Sequence, residues 1–311
     1  MKPLLFALEA LYDLAGGLLR HTGFDPGEIE QRRFPDGESY VRLMTPVEGR
    51  EVVLLCSLDR PDTKTLPLLF AADAARAQGA LRIGLVAPYL GYMRQDNSFN
   101  PGEAITSVTY AKLLSGAVDW LVTVDPHLHR YPTLASVYSV PSFVASAAKP
   151  IAGWIRDNLV NPVLVGPDEE SSQWVARIAE FAQARSTVFR KTRSGDFRVA
   201  IAAKGLAEIE GGTPVIIDDI ASSARTMIEA VRVLREAGQL PPVCIAVHPI
   251  FAGDAYEKLT AAGPAAIVST NAITHASNAI DVSAEIATAI ERALAFPSSK
   301  SEPEAAGTIS A

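Results

Sequence analysis

Two adjacent carboxylates, Asp218 and Asp219, close the apolar run Val215-Ile216-Ile217, and a hydroxyl-bearing loop, Ser222-Ser223-Ala224-Arg225-Thr226, follows within three residues. A loop that opens a helix offers free backbone N–H groups and the positive end of the helix dipole, which suits a phosphate. The hydroxyls of Ser222, Ser223 and Thr226 add donors. Paired carboxylates at a strand end can hold sugar hydroxyls or the water shell of a Mg²⁺ ion. The same pattern also serves as an ordinary helix cap. Three further groups stand where chemistry is possible. Asp125-Pro126-His127 ends another apolar run, and an imidazole with carboxylates there can bind a divalent metal directly or through water. Arg94-Gln95-Asp96 follows the aromatic segment Tyr89 to Tyr92, where an arginine can clamp phosphates and a glutamine can read a base or ribose edge. Arg190-Lys191-Thr192-Arg193-Ser194-Gly195 is a dense basic cluster in a glycine-bearing loop, as phosphoryl transfer requires, although most such runs are solvated turns.

These residues need a scaffold that brings strand ends together. Short β-branched runs read as strands at Glu51–Ser57, Arg82–Ala87, Trp120–Val124, Pro162–Val165, Pro214–Asp218, Val243–His248 and Ala266–Thr270. Several are apolar throughout, as in parallel sheets covered on both faces. Helical patterns lie between them at Leu66–Gln78, Ser107–Ser115, Ser171–Gln183, Thr226–Ala237 and Val282–Ala295. The alternation predicts an α/β fold with mostly parallel sheets, whose ligands sit beyond the carboxyl ends of the strands. A boundary near residues 139–150 divides the chain into domains 1–142 and 143–296, and the Pro-, Ser-, Glu- and Ala-rich tail, 297–311, reads as disordered.

The chain has 311 residues, and its 35 acidic against 28 basic side chains give a net charge of −7. That balance argues against a protein that coats nucleic acid, while leaving room for a local basic site. No apolar stretch approaches the ~18 residues of a membrane span, and the start lacks the order of a signal peptide. The two cysteines, Cys56 and Cys244, lie far apart in apolar runs, so neither a disulfide framework nor a paired-thiol metal site is expected. The expected location is cytoplasmic.

The segment 218–226 resembles the ribose-phosphate loop of the type I phosphoribosyltransferase superfamily. Five other segments resemble one branch of it, the ribose-phosphate diphosphokinases: Phe34-Pro35-Asp36-Gly37-Glu38, Pro88 to Asp96, Thr123 to His127, Gly166-Pro167-Asp168 and His248 to Gly253. The resemblance implies two similar domains of the phosphoribosyltransferase type. It implies transfer of the diphosphate of ATP to the 1-hydroxyl of ribose 5-phosphate, with Mg²⁺ as cofactor. By the same resemblance Arg94 and Gln95 bind ATP, and Asp36, Gly37 and Glu38 complete the adenine site of a neighbouring subunit. Asp218, Asp219 and residues 222–226 take ribose 5-phosphate, with Arg193. His127, Asp125 and Asp168 attend the metal, and Lys191 and Arg193 form the catalytic Lys-x-Arg pair. A homo-oligomer built from dimers, a tetramer or hexamer, is implied as well.

Two departures stand out. Ala224 and Arg225 replace two glycines of the usual phosphate loop; neither adopts a positive φ cheaply, so the helix is expected to start early and Arg225 to compensate by pairing with the 5-phosphate. The stretch Asn97 to Thr106 is similar to the archaeal-type branch, which lacks phosphate activation and ADP inhibition. The altered loop leaves two alternatives open: a non-catalytic regulatory relative, or diphosphoryl transfer to another sugar phosphate.

Overall fold

A computed structural model of the chain describes residues 1–8, 11–98, 100–128, 130–168, 171–191, 199–200 and 209–297. Two six-stranded parallel sheets form the scaffold. The first contains β1 (Leu4–Ala7), β2 (Asp25–Gly27), β5 (Glu51–Leu55), β6 (Arg82–Ala87), β7 (Trp120–Val124) and β8 (Ser142–Ala145), in the order β2-β1-β5-β6-β7-β8. Between them β3 (Ile29–Arg33) and β4 (Ser39–Leu43) form an antiparallel hairpin. The second sheet contains β9 (Pro162–Gly166), β10 (Arg185–Val188), β13 (Thr213–Ile220), β14 (Val243–His248), β15 (Ala266–Thr270) and β16 (Asn278–Ile280), in the order β10-β9-β13-β14-β15-β16. A two-residue pairing joins β11 (Arg190–Lys191) to β12 (Val199–Ala200).

The helices sort into layers by what they bury. Helices α1 (Tyr12–Thr22), α4 (Ala148–Asn158), α5 (Ser172–Ala182) and α8 (Ser283–Ala295) share one apolar cluster with both sheets, from Leu5, Val53 and Val122 to Leu164, Ile217 and Ile245. They form a common middle layer. Helices α2 (Pro61–Ala77) and α3 (Thr106–Ala117) cover the outer face of the first sheet through Leu68, Ala71, Tyr110 and Leu114. Helices α6 (Arg225–Glu236) and α7 (Ala255–Ala261) cover the outer face of the second through Met227, Val231 and Leu259. With both faces covered, the central strands are largely apolar up to their carboxyl ends, and Val52 to Leu55 and Val243 to His248 are wholly buried.

The seven strands and five helices expected from the sequence are all present, with ends differing by a few residues. The chain leaves the first sheet after Ala145 and enters the second at Pro162 through α4. The last helix turns back and packs on β7, β8 and α1. Phe296 lies against Phe143, with ring centroids 5.9 Å apart, and its carbonyl accepts a bond from Arg82 at 2.9 Å. The expected disorder of the tail falls on residues 298–311, outside the described set.

The first sheet depends on one close approach. Trp120, the largest fully buried side chain, lays its ring over Gly84 on the neighbouring strand, where an added Cβ would stand 2.0 Å from the indole. Gly84→Ala is therefore expected to cost about 3 kcal/mol by displacing the ring. Urea or thermal unfolding would show it, and an unchanged midpoint would refute it.

Candidate functional site

The two halves of the chain meet at the carboxyl ends of their strands. His127, three residues past β7, places Nδ1 2.9 Å from Oδ2 of Asp219 on β13. Ser57, past β5, donates its hydroxyl to the Ala272 carbonyl at 2.7 Å and accepts the Tyr89 N–H at 3.2 Å. His248, the last residue of β14, reaches the Val124 carbonyl with Nε2 at 3.0 Å and stacks edge-on against Tyr89 at 5.0 Å. These contacts join the strand ends of both sheets in one cleft.

The acids of the cleft differ in their protonation. Burial, then the neighbouring Asp219 charge, pushes the Asp218 carboxyl well above the usual carboxylate range, and the Asp168 charge adds to this. Burial acts on Asp219 too, but its hydrogen bond with His127 and the histidine's charge outweigh it and hold that carboxyl low. The Asp219 N–H donates to Oδ1 of Asp218 at 3.0 Å, so the pair is fixed in orientation. Among the described residues, no group of three His, Cys, Asp or Glu side chains is close enough to hold a metal ion alone.

Asp125 has a different setting. Its backbone lies in the left-handed region, φ +30°, and its carboxylate accepts the Ala147 N–H at 2.7 Å. Burial raises its pKa to about 6 against the pull of that bond. The side chain thus ties the His127 loop to the start of α4. Burial also lowers the His248 pKa to about 4, so this imidazole is neutral at physiological pH.

The candidate phosphate loop, residues 222–226, contains no glycine. Ala224 has φ 53° and ψ 11°, and α6 begins at Arg225, one residue before the expected Thr226. The left-handed conformation costs alanine about 1 kcal/mol, and burial of its methyl, ~0.8 kcal/mol, offsets much of this. Ala224 is in fact buried. The Ala221 N–H donates to the His248 carbonyl at 3.1 Å, and the N–H groups of Phe251 and Ala252 donate to the carbonyls of Ala221 and Ser222 at 2.8 and 3.0 Å. The loop is therefore braced from the end of β14. Arg225 is exposed at the first turn of α6, beside the exposed Ser223 and half-buried Ser222 and Thr226.

The other candidates sit further out. Arg94 is exposed and close enough to Tyr89 to act on its hydroxyl, whose pKa burial raises and the guanidinium lowers. The half-buried Gln95 accepts the Ser107 N–H with its carbonyl at 3.3 Å, and the neighbouring Asp96 pairs with Arg130 at 3.2 Å. Asp168 lies two residues past β9, and its backbone carbonyl accepts the Ser171 hydroxyl at 2.7 Å. Asp36, Gly37 and Glu38 form the exposed tip of the β3–β4 hairpin, where Gly37 has φ +95° and Asp36 Oδ1 accepts the Glu38 N–H at 3.1 Å. Lys191 ends β11; Arg193, like His129, lies outside the described residues.

Sequence reasoning missed Ser57, Tyr89 and His248 as parts of the cleft. It also missed Lys64, whose ammonium bonds the Ser57 carbonyl at 3.0 Å and Asp59 at 2.5 Å below the same strand end. Tyr89 and His248 fall within segments that carry the family resemblance but suggest no role of their own, Ser57 closes an apolar run, and Lys64 has no local signal.

Comparison with known proteins gives one answer. Residues 3–117 match the family described as the N-terminal domain of ribose phosphate pyrophosphokinase, and residues 134–285 match the phosphoribosyl transferase domain. The ribose-phosphate pyrophosphokinase of Methanopyrus kandleri is 31% identical over 85% of this chain and 90% of its own. That of Halobacterium salinarum is 30% identical over 92% of this chain and all of its own. The phosphoribosylpyrophosphate synthetase of Mycobacterium smegmatis superposes with a TM-score of 0.79 at 25% identity, covering 94% of this chain and 99% of the other. The parallel sheets, the acidic strand end, the phosphate loop and the full-length similarity converge: the chain belongs to the ribose-phosphate pyrophosphokinase family.

Proposed function

We propose that the cleft carries out diphosphoryl transfer from ATP to ribose 5-phosphate, with the residue roles set out below. The observation that carries this reading is the His127–Asp219 contact at 2.9 Å. It sets a histidine of the first half on the acidic strand end of the second, in a chain similar to ribose-phosphate pyrophosphokinases over nearly its whole length.

The 1-hydroxyl oxygen of the sugar attacks the β-phosphorus as the bond from that phosphorus to the α,β-bridging oxygen breaks. AMP leaves and the hydroxyl proton is lost. No covalent enzyme intermediate is needed, so the rate comes from alignment and electrostatics. Ser222, Ser223, Ala224 and Thr226 hold the 5-phosphate with backbone N–H groups and hydroxyls at the start of α6. Asp219, held ionised by its setting, accepts from a ribose hydroxyl, and Asp218 orients it. Arg94 and Gln95 take ATP, and Lys191 and Arg193 bring positive charge to the β-phosphoryl group. The exposed hairpin tip, Asp36 to Glu38, fits a role at a neighbouring subunit's adenine site.

The donor set fits Mg²⁺. That ion commonly binds through one or two carboxylates, several waters and substrate phosphates, and Asp168 is a carboxylate of that kind, close enough to act on Asp218. His127 and Asp168 would hold it, and it would neutralise charge on the phosphate oxygens. Asp125, committed to the Ala147 N–H, supports the His127 loop instead. No helix among the described residues is long and apolar enough to cross a membrane.

Incubation of the purified protein with ATP, Mg²⁺ and ribose 5-phosphate should yield AMP and phosphoribosyl pyrophosphate in equal amounts. Product only with another sugar phosphate would move the specificity, and no product from folded protein would refute the reading. Arg225 tests the altered loop. A cation at the positive end of a helix is unfavourable unless an anion sits beside it, so we assign its guanidinium to the 5-phosphate. Arg225→Ala is expected to raise the KM for ribose 5-phosphate about 10-fold with kcat nearly unchanged, the pattern of lost uniform binding. A fall in kcat at constant KM would contradict this role.

A further inference from the structure

His248 belongs to no substrate loop, yet it touches three. Its Nε2 lies 3.0 Å from the Val124 carbonyl, so that nitrogen carries the proton and donates it to the strand end that leads into His127. Its ring packs edge-on against Tyr89, five residues before Arg94. Its own carbonyl accepts the N–H of Ala221, where the phosphate loop begins. The side chain is 1% exposed, and Nδ1 is buried with no hydrogen-bond partner among the described residues. An orphaned buried nitrogen is costly. A phenylalanine would fill the same space without it, so packing alone gives no reason for histidine here.

A second observation concerns the alternatives. The direct contact between halves inside the cleft, His127 to Asp219, joins two groups that the proposed chemistry assigns to ligands. That contact is open to rearrangement when they bind. The His248 bond is buried and joins a ring nitrogen to a backbone carbonyl, neither of which is assigned to a substrate, so it can persist through the reaction.

We infer that His248 is a positioning residue for the diphosphoryl transfer: its Nε2–H, bonded to Val124, keeps the ATP side of the cleft in line with the sugar-phosphate loop. This rests on the ribose-phosphate diphosphokinase reading. Each substrate binds mainly to its own half, so loosening the bond leaves the separate affinities alone. It disturbs the in-line approach of the 1-hydroxyl to the β-phosphorus, to which rate is steeply sensitive.

The test compares His248→Phe, which keeps the ring and removes the donor, with His248→Gln, whose amide N–H reaches the place of Nε2. Wild-type formation of AMP and phosphoribosyl pyrophosphate is measured first. Without it the inference falls with the activity; with it the variants judge the inference alone. His248→Phe is expected to lower kcat about 30-fold. The KM values for ATP and ribose 5-phosphate should each stay within about threefold. His248→Gln should recover most of the loss. Wild-type kcat in His248→Phe, equal loss in both variants, or a loss confined to KM would overturn the proposal. Should His248→Phe not fold, His248→Asn replaces it, its amide being too short to reach Val124; the same outcomes then decide.

Discussion

Lys191→Ala is expected to lower kcat about 10³-fold while leaving the KM for ribose 5-phosphate within a few-fold of wild type. The argument starts from the charge that the transfer moves. As the bond from the β-phosphorus to its bridging oxygen stretches, negative charge spreads over the transferring group and the departing AMP. The rest of the cleft is rich in acids: Asp218, Asp219 and Asp168 lie close enough to act on one another. With Arg94 and Arg225 assigned to holding the substrates, the cation for the transferring group is proposed to be Lys191. Lys191 is the last residue of β11, and its backbone pairs with Val199 across the stretch that holds Arg193. In the proposed reading its ammonium engages mainly as charge develops, so its removal lowers kcat rather than weakening ground-state binding. Lys191→Arg keeps the charge with a different shape and should fall between the two. A kcat for Lys191→Ala within tenfold of wild type would remove Lys191 from the chemistry.

How much of this was legible beforehand depends on the kind of information each feature carries. Buried parallel strands such as Val52 to Leu55 announce themselves as apolar runs, because both of their faces are covered. Strands β2 and β16, of three residues each, leave too little pattern to read. The hairpin strand Ile29–Arg33 is polar on its exposed side and carries three charges in five residues, so it resembles a loop. Helix α4 holds Pro150 and Gly153 and follows a Pro- and Ser-rich stretch, which reads as a linker. The loops of the site were recognisable one by one. Their assembly was not: His127 and Asp219 are 92 residues apart, and His248 and Val124 are 124 apart. No local spacing encodes such pairings. They follow from two sheets presenting their carboxyl ends to one another, which only the shared middle layer of helices makes explicit. Ala224 shows the converse. Residue type argued against a left-handed turn, yet loop closure, bracing from β14 and burial of the methyl group fix φ at 53°.

Asp218→Asn should separate what the site needs from what the fold prefers. The substitution keeps size and shape, and Oδ1 can still accept the Asp219 N–H. It removes a carboxylate that burial and the adjacent Asp219 charge make costly to ionise. Because the folded-state pKa is raised, the native protein binds a proton that the unfolded chain releases once pH exceeds its ordinary value of 3.8. Wild-type stability therefore falls as pH rises through that window, and the asparagine variant has no such loss. At pH 7 Asp218→Asn is expected to be the more stable, with the difference fading as pH drops below the ordinary carboxylate range. Activity should move the other way. In the proposed reading Asp218 orients the ionised Asp219 that accepts a sugar hydroxyl, and misaligning a charge-assisted bond of that kind costs up to about 1.5–3 kcal/mol. The kcat/KM for ribose 5-phosphate should fall by about 10²-fold. Melting curves from pH 4 to 8 and steady-state kinetics on one preparation would check both halves. A variant less stable at pH 7 would contradict the electrostatic account of the pair, and one more stable and fully active would leave Asp218 a passenger in the cleft. Higher stability with lost activity is the result expected if two adjacent buried carboxylates are kept at this strand end for the proposed binding of the sugar rather than for the fold.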